Sequence, residues 1–235
     1  MSLFAFGQKG KTIQSISLVA HLKEQGYTGP TLVICPLSVL YSWCAEIKKH
    51  APTLEFFRWH CSDSKERESQ QHHLLRKILD YDIIVTTYET AKSPQSTHLI
   101  RSLYFNALIL DEGHIIKDMK TLISQSVRKI HAQTKLILTG TPLQNNLVEL
   151  YAILNFLYPA YFTKSDYFAK AFDIGKNCID SDMLLRANTV LSLFMLRRLK
   201  EQVEKLMPKK IETKVRCFFS LLCKSSFSND KHSFV

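Results

Sequence analysis

No apolar run in these 235 residues approaches membrane-spanning length, and the stretch from Leu150 to Phe162 is interrupted by Asn155 and Pro159. The opening segment, MSLFAFGQKGK, lacks a secretory hydrophobic region. Six cysteines stand at 35, 44, 61, 178, 217 and 223, with no CxxC pair and no nearby Cys/His zinc spacing. They read as free thiols of an intracellular protein, Cys35 packing as a small apolar residue. Internal repeats are absent too. These absences leave a cytosolic or nuclear protein with neither a disulfide framework nor a zinc module. Composition is ordinary for a folded domain, at 46% hydrophobic, 11% aromatic and 22% charged, which argues against disorder. The length permits one large domain or two small ones.

Acidic residues are also scarce: 21 Asp and Glu against 31 Lys and Arg, for a net charge of +10. That excess suits nucleic acid or an anionic membrane surface, and it is equally explained as a solubility feature. Its placement is informative. Arg197, Arg198, Lys200, Lys205, Lys209, Lys210, Lys214 and Arg216 face only Glu201, Glu204 and Glu212, so one short stretch carries half of the excess. A phosphate-facing edge is favoured there, with a solvated helix face as the alternative.

Short apolar runs alternate with longer amphipathic ones. Strands are expected at Leu3–Phe6, Thr31–Cys35, Ile83–Thr86, Ala107–Leu110 and Leu136–Leu138. Helices are expected at Thr12–Gln25, Ser38–His50, Ser64–Leu79, Ile115–His131 and Leu147–Leu157. In the fourth helix Ile116, Met119, Ile123, Val127 and Ile130 follow the spacing of one helical face. Val and Ile runs with little alternation imply strands buried on both faces. The pattern predicts an α/β fold, a mostly parallel sheet with helices on both faces, whose ligands gather at the carboxyl ends of the strands. From Tyr158 the sequence turns helical and aromatic, with a second helical run over about Met183–Leu206. The expected division is therefore 1–157 for the sheet domain, 158–216 for a helical extension and basic segment, and 217–235 for a frayed tail.

Three motifs carry chemistry. Gly10-Lys11-Thr12 opens a helix directly after an apolar strand, where backbone N–H groups can hold phosphate, the lysine its terminal oxygens and the hydroxyl a magnesium ion. A full phosphate loop would have glycine at position 5, which is Ala5 here. A helix N-terminus with an exposed lysine explains GKT as well. Asp111-Glu112-Gly113-His114 follows the strand Ala107–Leu110; Asp111 suits metal binding and Glu112 suits positioning of a water. Acids at the start of the next helix explain that pair equally. Thr139-Gly140-Thr141-Pro142 follows Leu136–Leu138, and alone reads as an ordinary strand-to-helix turn with Thr as cap and Pro at the first helical position. All three together, each at a strand's carboxyl end, are hard to obtain by chance, and the combination favours a nucleotide site.

With these motifs the chain resembles the first RecA-like lobe of the Swi/Snf-type ATPases of helicase superfamily two, and looks most like their ISWI branch. GKTIQSISLVAHL is similar to motif I, TLVICPLSVLYSWCAEIKKHAP to motif Ia, and DIIVTTYET to the DNA-side motif after it. LILDEGHIIKD resembles motif II and LTGTPLQNNLVELYAILNFLYP motif III, while LRRLKEQVEKLMPKKIETKV resembles the basic segment leading to a second lobe. The resemblance covers about residues 7–216. It implies the ATP-binding lobe of a DNA-dependent, helicase-like chromatin-remodelling ATPase in the nucleus, acting on double-stranded DNA or a nucleosome, with remodelling-complex subunits as partners and no membrane. It implies ATP held by Gly10, Lys11 and Thr12, magnesium by Thr12 and Asp111, and water oriented by Glu112. Thr139 and Thr141 would link nucleotide state to DNA, and Lys11, Asp111 and Glu112 would be catalytic. On the DNA side it places Pro36, Ser38, Thr86 and Thr87, with Arg197, Arg198, Lys209 and Lys210 on the basic segment. Trp43, also in motif Ia, shares its helix with Leu40 and Ile47 and is expected in the core.

The chain departs from the family in two ways. The family's phosphate loop reads roughly DEMGLGKT, and AFGQKGKT puts Gln8 where glycine is expected, a strain of ~1–2 kcal/mol if that position needs positive φ. The second lobe is expected to be missing, and loss of its arginines costs roughly 10³–10⁵ in rate, so little activity is expected of the chain alone. The alternative is a non-catalytic, single-lobe DNA- or chromatin-binding module. A small-molecule P-loop kinase explains GKT but neither TGTPLQNN nor the basic stretch.

Overall fold

The computed structural model describes residues 2–6, 10–60, 63–140, 147–163 and 195–197. Among them seven strands form one sheet: β1 (Ser2–Phe6), β2 (Thr31–Cys35), β3 (Phe56–Trp59), β4 (Ile83–Thr87), β5 (Tyr104–Asp111), β6 (His131–Thr139) and β7 (Met195–Arg197). Their order across the sheet is β3-β4-β2-β5-β6-β1-β7, and every pairing is parallel. Parallel neighbours require the chain to cross back over the sheet each time. The crossovers are made by α1 (Lys11–Glu24), α2 (Leu37–His50), α3 (Ser64–Lys77), α4 (Tyr88–Lys92), α5 (Pro94–Ser102), α6 (Leu122–Arg128) and α7 (Leu147–Leu157). One consequence decides where chemistry sits. All the carboxyl ends, including Phe6, Cys35, Thr87, Asp111 and Thr139, lie along a single rim.

The pleat sends alternate side chains to opposite faces, and each face has its own core. Val33, Cys35, Val85, Ile109 and Leu138 pack with Ile16 and Val19 of α1 and with Leu40, Trp43 and Ile47 of α2. Leu32, Ile34, Ile84, Leu108, Leu110 and Ile137 pack on the other side with Ala91, Leu99, Ile100, Val127, Ile153 and Phe156, from α4 to α7. β2 and β4 are buried along their whole length, which explains their unalternating apolar sequence. Each fully buried Leu, Ile or Val contributes roughly 1.5–3 kcal/mol relative to exposure, so both faces drive folding. The expected α/β architecture, parallel with helices on both faces, is the one observed. No helix among the described residues is long and apolar enough to cross a membrane.

Three expectations change. The single helix over Ile115–His131 is instead a 3-10 turn at Gly113–Ile116, an irregular link and the short α6, with His131 already in β6. The break lies at Asp118, whose Oδ1 accepts from Lys120 N–H at 2.8 Å and whose carbonyl accepts from the Thr121 hydroxyl at 3.0 Å. Such local side-chain bonds compete with helical ones, and Thr121 then caps α6 through Ser124 N–H. Within the expected helical run Met183–Leu206, Met195–Arg197 is an edge strand beside β1. Its run of apolar residues is short enough to serve either structure, and pairing along β1 decides. Finally β3, α4 and α5 were not expected as elements. Residues 164–194 and 198–216 of the predicted helical extension and the tail 217–235 lie outside the described residues.

Candidate functional site

Gly10 makes the turn between β1 and α1, with φ 79° and ψ 2°, a left-handed conformation that favours glycine. It offers no side chain to cap the helix, and no acidic residue lies in the first turn of α1. The leading N–H groups and the dipole of a 14-residue helix thus remain suited to an anion. Lys11 is the first helical residue. Its side chain is only 14% exposed, and its Nζ lies 3.5 Å from Oε1 of Glu112, at the far end of β5. An exposed lysine at a helix start does not describe it.

β5 ends on Asp111, which is buried among apolar neighbours and satisfied by specific donors. The indole Nε1–H of Trp43 donates to Oδ2 at 2.8 Å, and the N–H of Glu112 donates to Oδ1 at 3.0 Å. The Tyr88 hydroxyl donates to the Asp111 backbone carbonyl at 2.9 Å. Glu112 has φ 51° and ψ 47°, and its Oε2 lies 3.2 Å from Nδ1 of His114. Glu112 stands at the N-cap position of the 3-10 turn that follows, without a side-chain capping hydrogen bond. That turn is four residues long, so the helix expected to begin near Ile115 does not start there.

β6 ends on Thr139, buried, and the next residue closes the arrangement. A Cβ placed on Gly140 would lie 3.5 Å from Lys11 Nζ and 3.8 Å from Glu112 Oε1. Residues from the lysine loop, the acid pair and the threonine turn thus meet within ordinary contact distance on one rim. Cys35 lies in the core beneath, where burial, with Asp111 and Cys44 adding, pushes its thiol up to about 12. Burial, reinforced by Asp111, likewise holds the Tyr88 hydroxyl well above its ordinary range. Both are neutral hydrogen-bond donors at physiological pH: Cys35 Sγ lies 3.6 Å from the Thr86 carbonyl.

Comparison with known proteins shows the family and the fold. The family model for the SNF2-related domain matches residues 9–234. The chain belongs to that family. It is 36% identical over 219 residues to the SWI/SNF-related matrix-associated actin-dependent regulator of chromatin subfamily A containing DEAD/H box 1 of Rattus norvegicus, covering 90% of this chain and 21% of that protein. It is also 36% identical to an ISWI chromatin-remodeling complex ATPase of Arabidopsis thaliana, covering 93% of this chain and 20% of that one. Equal identity to the two gives the ISWI branch no preference. Among solved structures, the Sulfolobus solfataricus SWI2/SNF2 ATPase core in complex with dsDNA aligns with a TM-score of 0.72 and 31% identity, over 84% of this chain and 40% of that one. The Sulfolobus solfataricus SWI2/SNF2 ATPase core domain also aligns, with a TM-score of 0.70 and 30% identity, over 96% of this chain and 45% of that one. The SNF2-related chain spans about a fifth of the curated relatives it matches.

Other expected residues of this SNF2-related lobe fall as follows. Ser38 is exposed and Pro36 half-buried at the start of α2, on the same rim. Thr86 and Thr87 are buried; the first donates to the Trp59 carbonyl at 2.8 Å and the second accepts from Thr90 N–H at 3.2 Å, capping α4. Their hydroxyls shape the loop from within. Trp43 is in the core, 1% exposed. Thr141, Arg198, Lys209, Lys210 and the loop residue Gln8 lie outside the described residues, as does the side chain of Arg197. Among the described residues no three His, Cys, Asp or Glu side chains gather to hold a metal alone. Each Asp111 carboxylate oxygen accepts one hydrogen bond and keeps acceptor capacity, so the carboxylate is chemically suited to a hard cation that arrives with phosphate oxygens and water. Sequence reading missed Tyr88 as a partner of Asp111; its place directly after two strand-ending threonines was the available signal.

Proposed function

We propose that this chain is the nucleotide-binding lobe of a DNA-dependent, helicase-like motor that hydrolyses ATP to act on chromatin in the nucleus. One observation carries the reading: Lys11, Glu112 and Gly140, distant in sequence, come together on one rim. The α1 N-terminus and Lys11 bind the triphosphate, Thr12 and Asp111 hold magnesium, and Glu112 orients the attacking water. Magnesium, when bound, supplies positive charge at the phosphates. Thr139 and Thr141 connect the nucleotide to neighbouring loops. Double-stranded DNA or a nucleosome is the partner, contacted near Pro36 and Ser38, through loops shaped by Thr86 and Thr87, and by Arg197, Arg198, Lys209 and Lys210. Assembly with remodelling-complex subunits fits the relatives' names.

A nucleotide-free binding module is favoured by one feature, Gln8 in the phosphate loop. Thermal unfolding with Mg-ATP separates the two. At 100 times Kd, binding adds about 2.7 kcal/mol, which for a chain this size raises Tm by roughly 5–10 °C. Lys11→Ala should abolish that rise. An unchanged Tm of the wild-type chain in millimolar Mg-ATP would establish the binding-module reading instead.

A further inference from the structure

We infer that Trp43 and Tyr88 are positioning residues that couple the nucleic-acid side of the lobe to its acid pair through Asp111; the inference rests on the proposed function. Asp111 is gripped from both faces of the sheet. Trp43 reaches its carboxylate from α2, which packs on one face, at 2.8 Å. Tyr88 reaches its backbone carbonyl from α4, which packs on the other, at 2.9 Å. Both helices begin on the rim that carries Lys11 and Glu112.

The outer side of α2 is built differently from its inner side. Leu37, Ser38 and Tyr41 are exposed, Tyr41 at 62%, and the Arg58 guanidinium lies 5.0 Å from the Tyr41 ring. An aromatic surface carrying a cation suits a phosphate backbone. Tyr41 and Trp43 are two residues apart, so one short helix presents the first outward and the second to Asp111. A displacement of α2 by a bound duplex must move the indole N–H, and with it the carboxylate.

The acceptor that satisfies the buried Trp43 indole is a carboxylate of the acid pair. Trp59, equally buried in the same fold, has no partner for its Nε1 among the described residues. Trp43, by contrast, is satisfied. Its N–H is instead directed at the carboxylate next to the Lys11–Glu112 pair. The bond is charge-assisted, which makes it stronger and more directional than a neutral one.

The test is the affinity of the full chain for Mg-ATP, with and without a 20-base-pair duplex, for wild type, Trp43→Phe and Tyr88→Phe. In the wild type, duplex should raise nucleotide affinity by about 5–150-fold, and nucleotide should raise duplex affinity by the same factor. Trp43→Phe should reduce that factor to about two-fold or less while duplex affinity without nucleotide stays within about two-fold of wild type. Tyr88→Phe removes only a hydroxyl, so it reads the same coupling if the core substitution fails to fold; an intermediate factor is expected. A purely structural role would lower Tm and leave the coupling factor intact. Full coupling in both variants overturns the inference and leaves the proposed function standing, whereas a wild type that binds Mg-ATP with no response to duplex overturns both the inference and the DNA dependence of the proposed function. A wild type that binds no Mg-ATP at all removes both.

Discussion

Asp111 and Glu112 are adjacent in the chain yet serve different partners, because the backbone reverses between them. Glu112 is the one non-glycine with positive φ among the described residues, at a cost of ~1–2 kcal/mol. Strain of that kind persists where surrounding structure enforces it, often at functional sites. Here the turn sends Asp111 to Trp43 and Glu112 to Lys11 and His114. Gly113 then passes so close to β6 that a Cβ would lie 2.3 Å from Cγ2 of Ile137. Ile137 is β-branched and fully buried, so it has little room to yield. Gly113→Ala should therefore destabilise the fold by about 1–3 kcal/mol, measured by urea unfolding. An alanine variant as stable as wild type would show that the close approach is relieved by a small backbone shift.

α7 has no basic residue in its own last turn, and its carbonyls are satisfied by cations from elsewhere. Arg128, at the end of α6, donates to the Ala152 carbonyl and to Asn155 Oδ1, both at 2.7 Å. Lys135 of β6 donates to the Phe156 carbonyl at 3.1 Å and lies 4.6 Å from the Phe156 ring centre. Burial, with Arg128 nearby, pulls the Lys135 pKa down; burial also lowers that of Arg128. These bonds tie three elements on one face of the sheet. Arg128→Met should cost about 1.5–3 kcal/mol in unfolding free energy, and Arg128→Lys should recover only part, since it loses the forked geometry. Elements of this kind were unevenly legible. The apolar faces of α1, α2 and α7 stood out, and so did β2, β4 and β5. The helix periodicity from Ile116 to Ile130 misled because the bonds around Asp118 override it. α5 carried a usable signal, since Ser93 caps it and Pro94 stands in its first turn. β3, four residues long and without alternation, carried none.

At the scale of the whole molecule, parallel pairing is what turns three separate motifs into one site. The α/β class could be read from alternating strand and helix patterns. The strand order could not, because the placement of each crossover depends on packing between distant segments. The same limit applied within the site. GKT, DEGH and TGTP were visible as motifs, whereas the Trp43–Asp111 bond spans 68 residues and leaves no local trace. Titration calorimetry of Mg-ATP against wild type and Gly140→Val tests the convergence most directly. Gly140 lacks positive φ, and a side chain there would project toward Lys11 Nζ and Glu112 Oε1. The expected result is at least a roughly tenfold loss of affinity, about 1.4 kcal/mol, with the Tm of the nucleotide-free protein little changed. Wild-type affinity in Gly140→Val would mean that the triphosphate does not lie where the three loops meet.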